Sequence, residues 1–173
     1  HSAGAATPGL PVEAKREGLD RLARMMNTAA EEAADVPVYV AVDVHYGGIA
    51  ESVADCEYLI SAIACPNAGP LLNIGHLTTC RQPGWELPAR HPERVRIVGW
   101  KDHRPGVRGA PFLSVELGTG DSPLGAYVVA MKGQDHVERR HVIAFEHVPT
   151  PERKEALRRS LRYMENLWAA AGG

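Results

Sequence analysis

The sequence predicts an α/β fold organised on a parallel sheet. Three observations predict it. Short apolar runs alternate with amphipathic stretches, the runs recur at the spacing of about 30 to 45 residues that strand–helix units require, and each run ends in polar residues. The plainest run is PVYVAVDVHYGG, Pro37 to Gly48. Val38, Val40, Val42 and Val44, with Tyr39 and Ala41 between them, read as a strand buried on both faces. Asp43 and His45 stand two apart at its carboxyl end, so their side chains leave on the same side. Gly47 and Gly48 then break the strand. In parallel α/β proteins the working residues lie at that end.

The remaining elements follow in order. Between Pro11 and Ala34, Leu19, Leu22, Met26, Ala29 and Ala33 recur at three- and four-residue steps, the period of an amphipathic helix. Glu13, Lys15, Arg16, Glu17 and Asp20 take its outer part, and Pro11 suits a first-turn position. A second helix is predicted from Ala50 to Ala64, with Val53, Cys56, Leu59, Ile60 and Ile63 inward, and CPNAGP is a turn cluster. Leu71 to Ile74 read as a short strand ending in Asn73-Ile74-Gly75-His76. Thr78 to Pro92 read as loop, with one turn of helix near Trp85 to Arg90.

The third strand is VRIVGW, Val95 to Trp100, ending in Lys101-Asp102-His103. The loop RPGVRGAP leads to Phe112 to Leu117 and a tight turn, Gly118-Thr119-Gly120-Asp121, too short for a dinucleotide fingerprint. A helix from Pro123 to Lys132 precedes the fourth strand, His141 to Val148, which carries Glu146. Thr150-Pro151-Glu152 has the form of a helix start: Thr as N-cap, Pro in the first position and an acid at the positive end. The last helix turns Leu157, Leu161, Met164 and Leu167 or Trp168 inward.

Composition narrows the function. A chain of 173 residues suffices for one domain with a core, and a net charge of −2 without a basic cluster argues against nucleic acid as main partner. No apolar run approaches the ~20 residues that cross a bilayer, so no membrane partner is expected. Cys56, Cys65 and Cys80 are odd in number without CxxC spacing, so reduced thiols and a cytoplasmic location are the default.

Five motifs carry a resemblance. VAVDVHYGG, LLNIGHL, VRIVGWKD, ELGTGD and HVIAFEHV follow one another in an order that resembles the xylose-isomerase-like TIM barrels, the sugar phosphate isomerases and epimerases. That family's pattern runs E-x-H, D-x-G-H, H-x-K-D, G-x-G-D and a last strand ending in E. The resemblance spans only the second half of such a barrel, strands five to eight, with HSAG at the start similar to the loop after strand four. It implies a single half-barrel domain over residues 1–173, a truncated product or a fragment, consistent with an opening that lacks Met.

The resemblance also implies a site. The family takes one metal ligand from each of four strands, Glu, Asp, His and Glu, and these positions fall on Asp43, Asn73, Gly99 and Glu146. The implied cofactor is a divalent metal (Mn, Mg or Zn) on Asp43, Asn73 and Glu146. Asp43 is shorter than the family's Glu, Asn73 is neutral and Gly99 has no side chain, so binding is expected to be weak or lost. Asp43 and Glu146 match the acids that exchange a proton beside the sugar carbonyl, and His45, His76 and Lys101 match residues near the substrate. His103, four residues past Gly99, is a candidate stand-in ligand; His91, His136 and His141 carry no motif support.

The implied function is a metal-assisted aldose–ketose isomerisation or epimerisation of a small sugar or sugar phosphate, on an eroded metal site. The other reading is a non-catalytic relative that binds a sugar-like ligand or serves as a structural piece. An endonuclease of the same superfamily would require further His and acidic ligands and a basic face, which the sequence lacks. Four parallel strands leave two open edges, so self-association or a missing N-terminal half is expected as partner.

Overall fold

The computed structural model describes residues 10–106, 110–146 and 150–172. The HSAG segment, the middle of the RPGVRGAP loop, the strand end at His147 and Val148 and the capping side chain of Thr150 lie outside the described residues. Helix α1, Val12–Glu32, begins after Pro11 and buries Leu19, Ala23, Met26 and Ala30, one stripe at helical spacing. Strand β1, Val40–Asp43, leads to α2, Val53–Ala62. A capping box sets the start of α2: Ser52 Oγ accepts from Asp55 N at 3.1 Å and Asp55 Oδ2 accepts from Ser52 N at 2.9 Å. Asp55 Oδ2 also accepts from Glu51 N and pairs with Lys15 Nζ at 2.9 Å, joining α2 to α1.

Strand β2, Ala68–Asn73, passes directly into the short helix α3, Ile74–Thr79. One turn, α4, Leu87–Arg90, precedes β3, Ile97–Trp100. An antiparallel hairpin follows, β4, Asp102–Pro105, and β5, Phe112–Val115, in register Asp102 with Val115 and Pro105 with Phe112. Helix α5, Leu124–Met131, strand β6, Arg140–Ile143, and helix α6, Thr150–Ala170, complete the chain. The four strands β1, β2, β3 and β6 pair in that order, all parallel. One core cluster, from Leu72, Val98 and Trp100 to Tyr127 and Met164, lies under α3 to α6; a second joins α1 and α2 to Val42 and Ala68.

Several expectations need correction. Within β1 only Val42 is buried, and Val38 is 47% exposed, because an edge strand has a neighbour on one side alone. Residues 74–79, read as strand end and loop, are helix, and Asp102 and His103 open a hairpin rather than end a strand. Glu146 lies three residues past β6 rather than within it. On α6 the buried positions are Ala156, Ser160 and Met164; Leu157 and Leu161 lie one step around the helix and are exposed. At the far edge Trp100 Nε1 donates to His141 Nδ1 at 2.9 Å, and the two rings stack beside Trp168. His141 thus ties β3, β6 and α6 together. No helix among the described residues is long and apolar enough to cross a membrane.

Candidate functional site

Parallel pairing brings the predicted residues to one end of the sheet. Asp43 closes β1, Asn73 closes β2, and the register partner of Asn73 on β3 is Gly99. Asn73 Nδ2 donates to Asp43 Oδ1 at 2.8 Å, which fixes the amide and leaves buried Asn73 Oδ1 without a hydrogen-bond partner. Because β2 runs straight into α3, His76 enters the site from the first turn of a helix. That approach depends on Gly75, where a Cβ would stand 2.7 Å from the His103 ring and from Lys101 Cβ.

His76 is fully buried. Its Nε2 lies 2.9 Å from Glu146 Oε1 and 3.3 Å from Lys101 Nζ, and Lys101 Nζ forms an ion pair with that same Glu146 oxygen. Lys101 is buried to its ammonium, with a side chain 11% exposed. His45, two residues past Asp43, lays its ring on His76 with centroids 3.6 Å apart, and its Nδ1 donates to the Tyr46 carbonyl at 2.8 Å. Phe112 meets the His76 ring edge-on at 5.1 Å and stacks on His103 at 4.1 Å.

The cluster has a defined charge pattern. The hydrogen bond from His76 first, and then the Lys101 ammonium, hold the Glu146 carboxyl far below the usual carboxylate range, against the opposing effect of its burial. Burial lowers the pKa of His76, Lys101 and His45 add to that, and Glu146 opposes it. Its Nδ1 has no hydrogen-bond partner. Both pKa directions favour an ionised Glu146 and a neutral His76 at neutral pH.

Of the four positions expected to hold a metal, two are already engaged by other side chains and one brings no side chain. Asp43 is engaged by an amide, Gly99 brings no donor, and Glu146 already carries Lys101. Among the described residues His45, His76 and Glu146 form one group whose ligand atoms lie within 4.8 Å of one another. His103 is not among them: its Nδ1 lies 2.9 Å from Thr79 Oγ1 and its ring is stacked on Phe112. Lys101, which could have been a solvated side chain, is buried in the cluster.

Asp102 matches the acid of the K-D motif, but its role as an anchor was not read from the sequence. Its buried carboxylate accepts from the N–H groups of Gly118, Gly120 and Ser122 at 2.8–2.9 Å, fastening the glycine turn to the start of β4. A turn with several free N–H groups wants a buried acid as acceptor, and the ELGTGD stretch carried that signal.

Fold and site together define a parallel β/α protein of the barrel class, with polar residues gathered at the carboxyl ends of its strands. Residues 1–167 match the family described as "Xylose isomerase-like TIM barrel", and the chain belongs to that family. Among solved structures it is similar to a xylose isomerase domain protein from Alicyclobacillus acidocaldarius, at 22% identity and TM-score 0.67, over 90% of this chain and 59% of that one. It is similar to an IOLI protein solved with a zinc atom, at 15% identity and TM-score 0.74, over 96% and 61%. A D-psicose 3-epimerase solved in the presence of D-fructose aligns at 12% identity and TM-score 0.70, over 95% and 61%. The chain therefore spans about 60% of the length of these structures, and its four-stranded sheet corresponds to part of a barrel. No curated protein matches the sequence significantly.

Proposed function

We propose that this chain is a sugar-binding domain of the isomerase/epimerase type, corresponding to strands five to eight of the barrel, with its metal-assisted chemistry suppressed. The observation that carries this reading is two buried polar atoms without hydrogen-bond partners, Asn73 Oδ1 and His76 Nδ1, with the His76 ring itself against the Lys101–Glu146 ion pair. Unpartnered buried polar atoms beside charged groups suit a ligand with several hydroxyl groups. The neighbouring epimerase solved with D-fructose supports a ketose as that ligand.

The family reaction moves a proton beside a carbonyl through an enediolate. A general base works best with a pKa near the working pH, and Glu146 is held far below it. Asp43 is bound to Asn73, and one methylene less than the family's Glu shortens its reach by about 1.5 Å, where about 1 Å of misplacement costs roughly a hundredfold in rate. The domain therefore binds a small ketose and turns it over at or near background.

Ligand-observed NMR with D-fructose and D-psicose tests this. Binding near millimolar, about −4 kcal/mol, and weakened by His76→Phe, is expected. No binding at tens of millimolar would refute the sugar site. Solvent deuterium exchange into the same ketoses should stay at background with or without Mn²⁺. Robust exchange abolished by Glu146→Gln would restore the catalytic reading.

A further inference from the structure

We infer that Lys101 is an internal cation, its ammonium set against the His76–Glu146 contact where a divalent metal bound to both would compete with it. Its ammonium is paired with Glu146 Oε1 and lies 3.3 Å from His76 Nε2. His76 and Glu146 are also two of the three residues in the one candidate metal group among the described residues. A metal bound to carboxylate oxygen and imidazole nitrogen sits about 2.0–2.2 Å from each, so it would compete with the ammonium for the same Glu146 oxygen. The ammonium also repels a divalent ion, and a buried site screens that repulsion weakly.

Lys101 is held there by the chain itself. It follows Trp100, the last residue of β3, and its Cβ lies beside Gly75 at the start of α3. Swinging out would leave Glu146 without its cation. On the sugar-binding reading, the ammonium then faces the ligand's oxygen atoms as a fixed positive charge, with no metal required. The exclusion of metal rests on the position and charge of the ammonium and stands apart from that reading.

Calorimetry with Zn²⁺ and with Mn²⁺ at pH 7.5 tests the inference on the whole chain. Wild type should bind neither ion at this cluster more tightly than millimolar. Lys101→Met should bind at least tenfold more tightly, and Lys101→Met with Glu146→Gln should lose that gain. Should Lys101→Met fail to fold, Glu146→Gln alone keeps the test open. It should leave wild-type metal binding unchanged, since the cluster holds no metal to lose. Micromolar binding to wild type that Glu146→Gln abolishes would overturn the inference, as would a folded Lys101→Met with unaltered affinity. Ketose binding by NMR in EDTA reads the sugar site separately: its loss refutes the proposed ligand and leaves the metal result standing.

Discussion

Asn73 Nδ2 donates to Asp43 Oδ1 at 2.8 Å across the carboxyl ends of two adjacent parallel strands. An acid in place of Asn73 would set two carboxylates side by side, and a cation would be required between them. Here an amide does the joining.

Asn73→Asp should therefore destabilise the chain by about 1–3 kcal/mol in metal-free buffer at pH 7, since a buried hydrogen bond becomes a like-charge contact. Adding Gly99→His supplies a further donor and requires the flexible Leu71 side chain to give way, since a Cβ at Gly99 meets Leu71 Cδ2 at 3.3 Å. The double variant should bind Mn²⁺ at least tenfold more tightly than wild type, because Asp43, Asp at 73 and His at 99 form a donor set independent of Glu146. Unchanged affinity by calorimetry would mean that Asn73 and Gly99 do not face a common site.

Asp102 anchors the turn after β5 through three backbone N–H groups. Asp102→Ala leaves them buried without an acceptor and should cost about 3 kcal/mol by urea denaturation. Gly120→Ala should also destabilise, because a Cβ there would lie 2.3 Å from Asp102 Oδ1. A loss below about 1 kcal/mol for Asp102→Ala would show that the anchor is dispensable.

Much of this was legible in the chain. The four strands were readable because valine-rich runs alternate with amphipathic stretches, and the carboxyl-end residues follow from parallel pairing. What was not legible depended on tertiary contact. Ile74 to Thr79 carry no helical stripe long enough to detect, yet α3 delivers His76. The pairing of β4 with β5 was hidden because Asp102 and His103 read as the end of the third strand and the RPGVRGAP stretch after them as loop. Lys101 could have pointed to solvent; only the position of Glu146, past the end of β6, turns it inward.

Acid stability should depend on Asp55. Burial raises its pKa, but the Glu51 N–H, Lys15 and Ser52 outweigh that and set it below the ordinary 3.8. Between the folded and unfolded pKa values the unfolded chain binds more protons, so stability rises with pH there. The contribution is complete above about pH 5 and is lost as pH falls through the folded pKa. Asp55→Asn should lower stability at pH 7 by about 1–2 kcal/mol through the weakened cap and flatten the acid limb of the stability–pH curve. Parallel acid limbs for the two proteins would contradict this.

The sheet has two open edges, β1 and β6, and apolar side chains stand exposed near both: Val36 and Val38 at one, Val142 at the other. At tens of micromolar the isolated chain should self-associate, most simply as a two-fold pair closing an eight-stranded ring. Light scattering that shows a monomer with a cooperative melt would rule this out.

Trp100 gives the chain an optical gauge of one of those edges. Its indole N–H is committed to His141, a ring carried by the outermost strand, while the indole itself is buried in the main core. Separation of β6 from β3, or a proton on His141 Nδ1, removes the acceptor and changes the polarity around the indole. Tryptophan emission should thus register opening of this edge before the core itself unfolds, and a His141→Phe variant would show which part of the signal belongs to it.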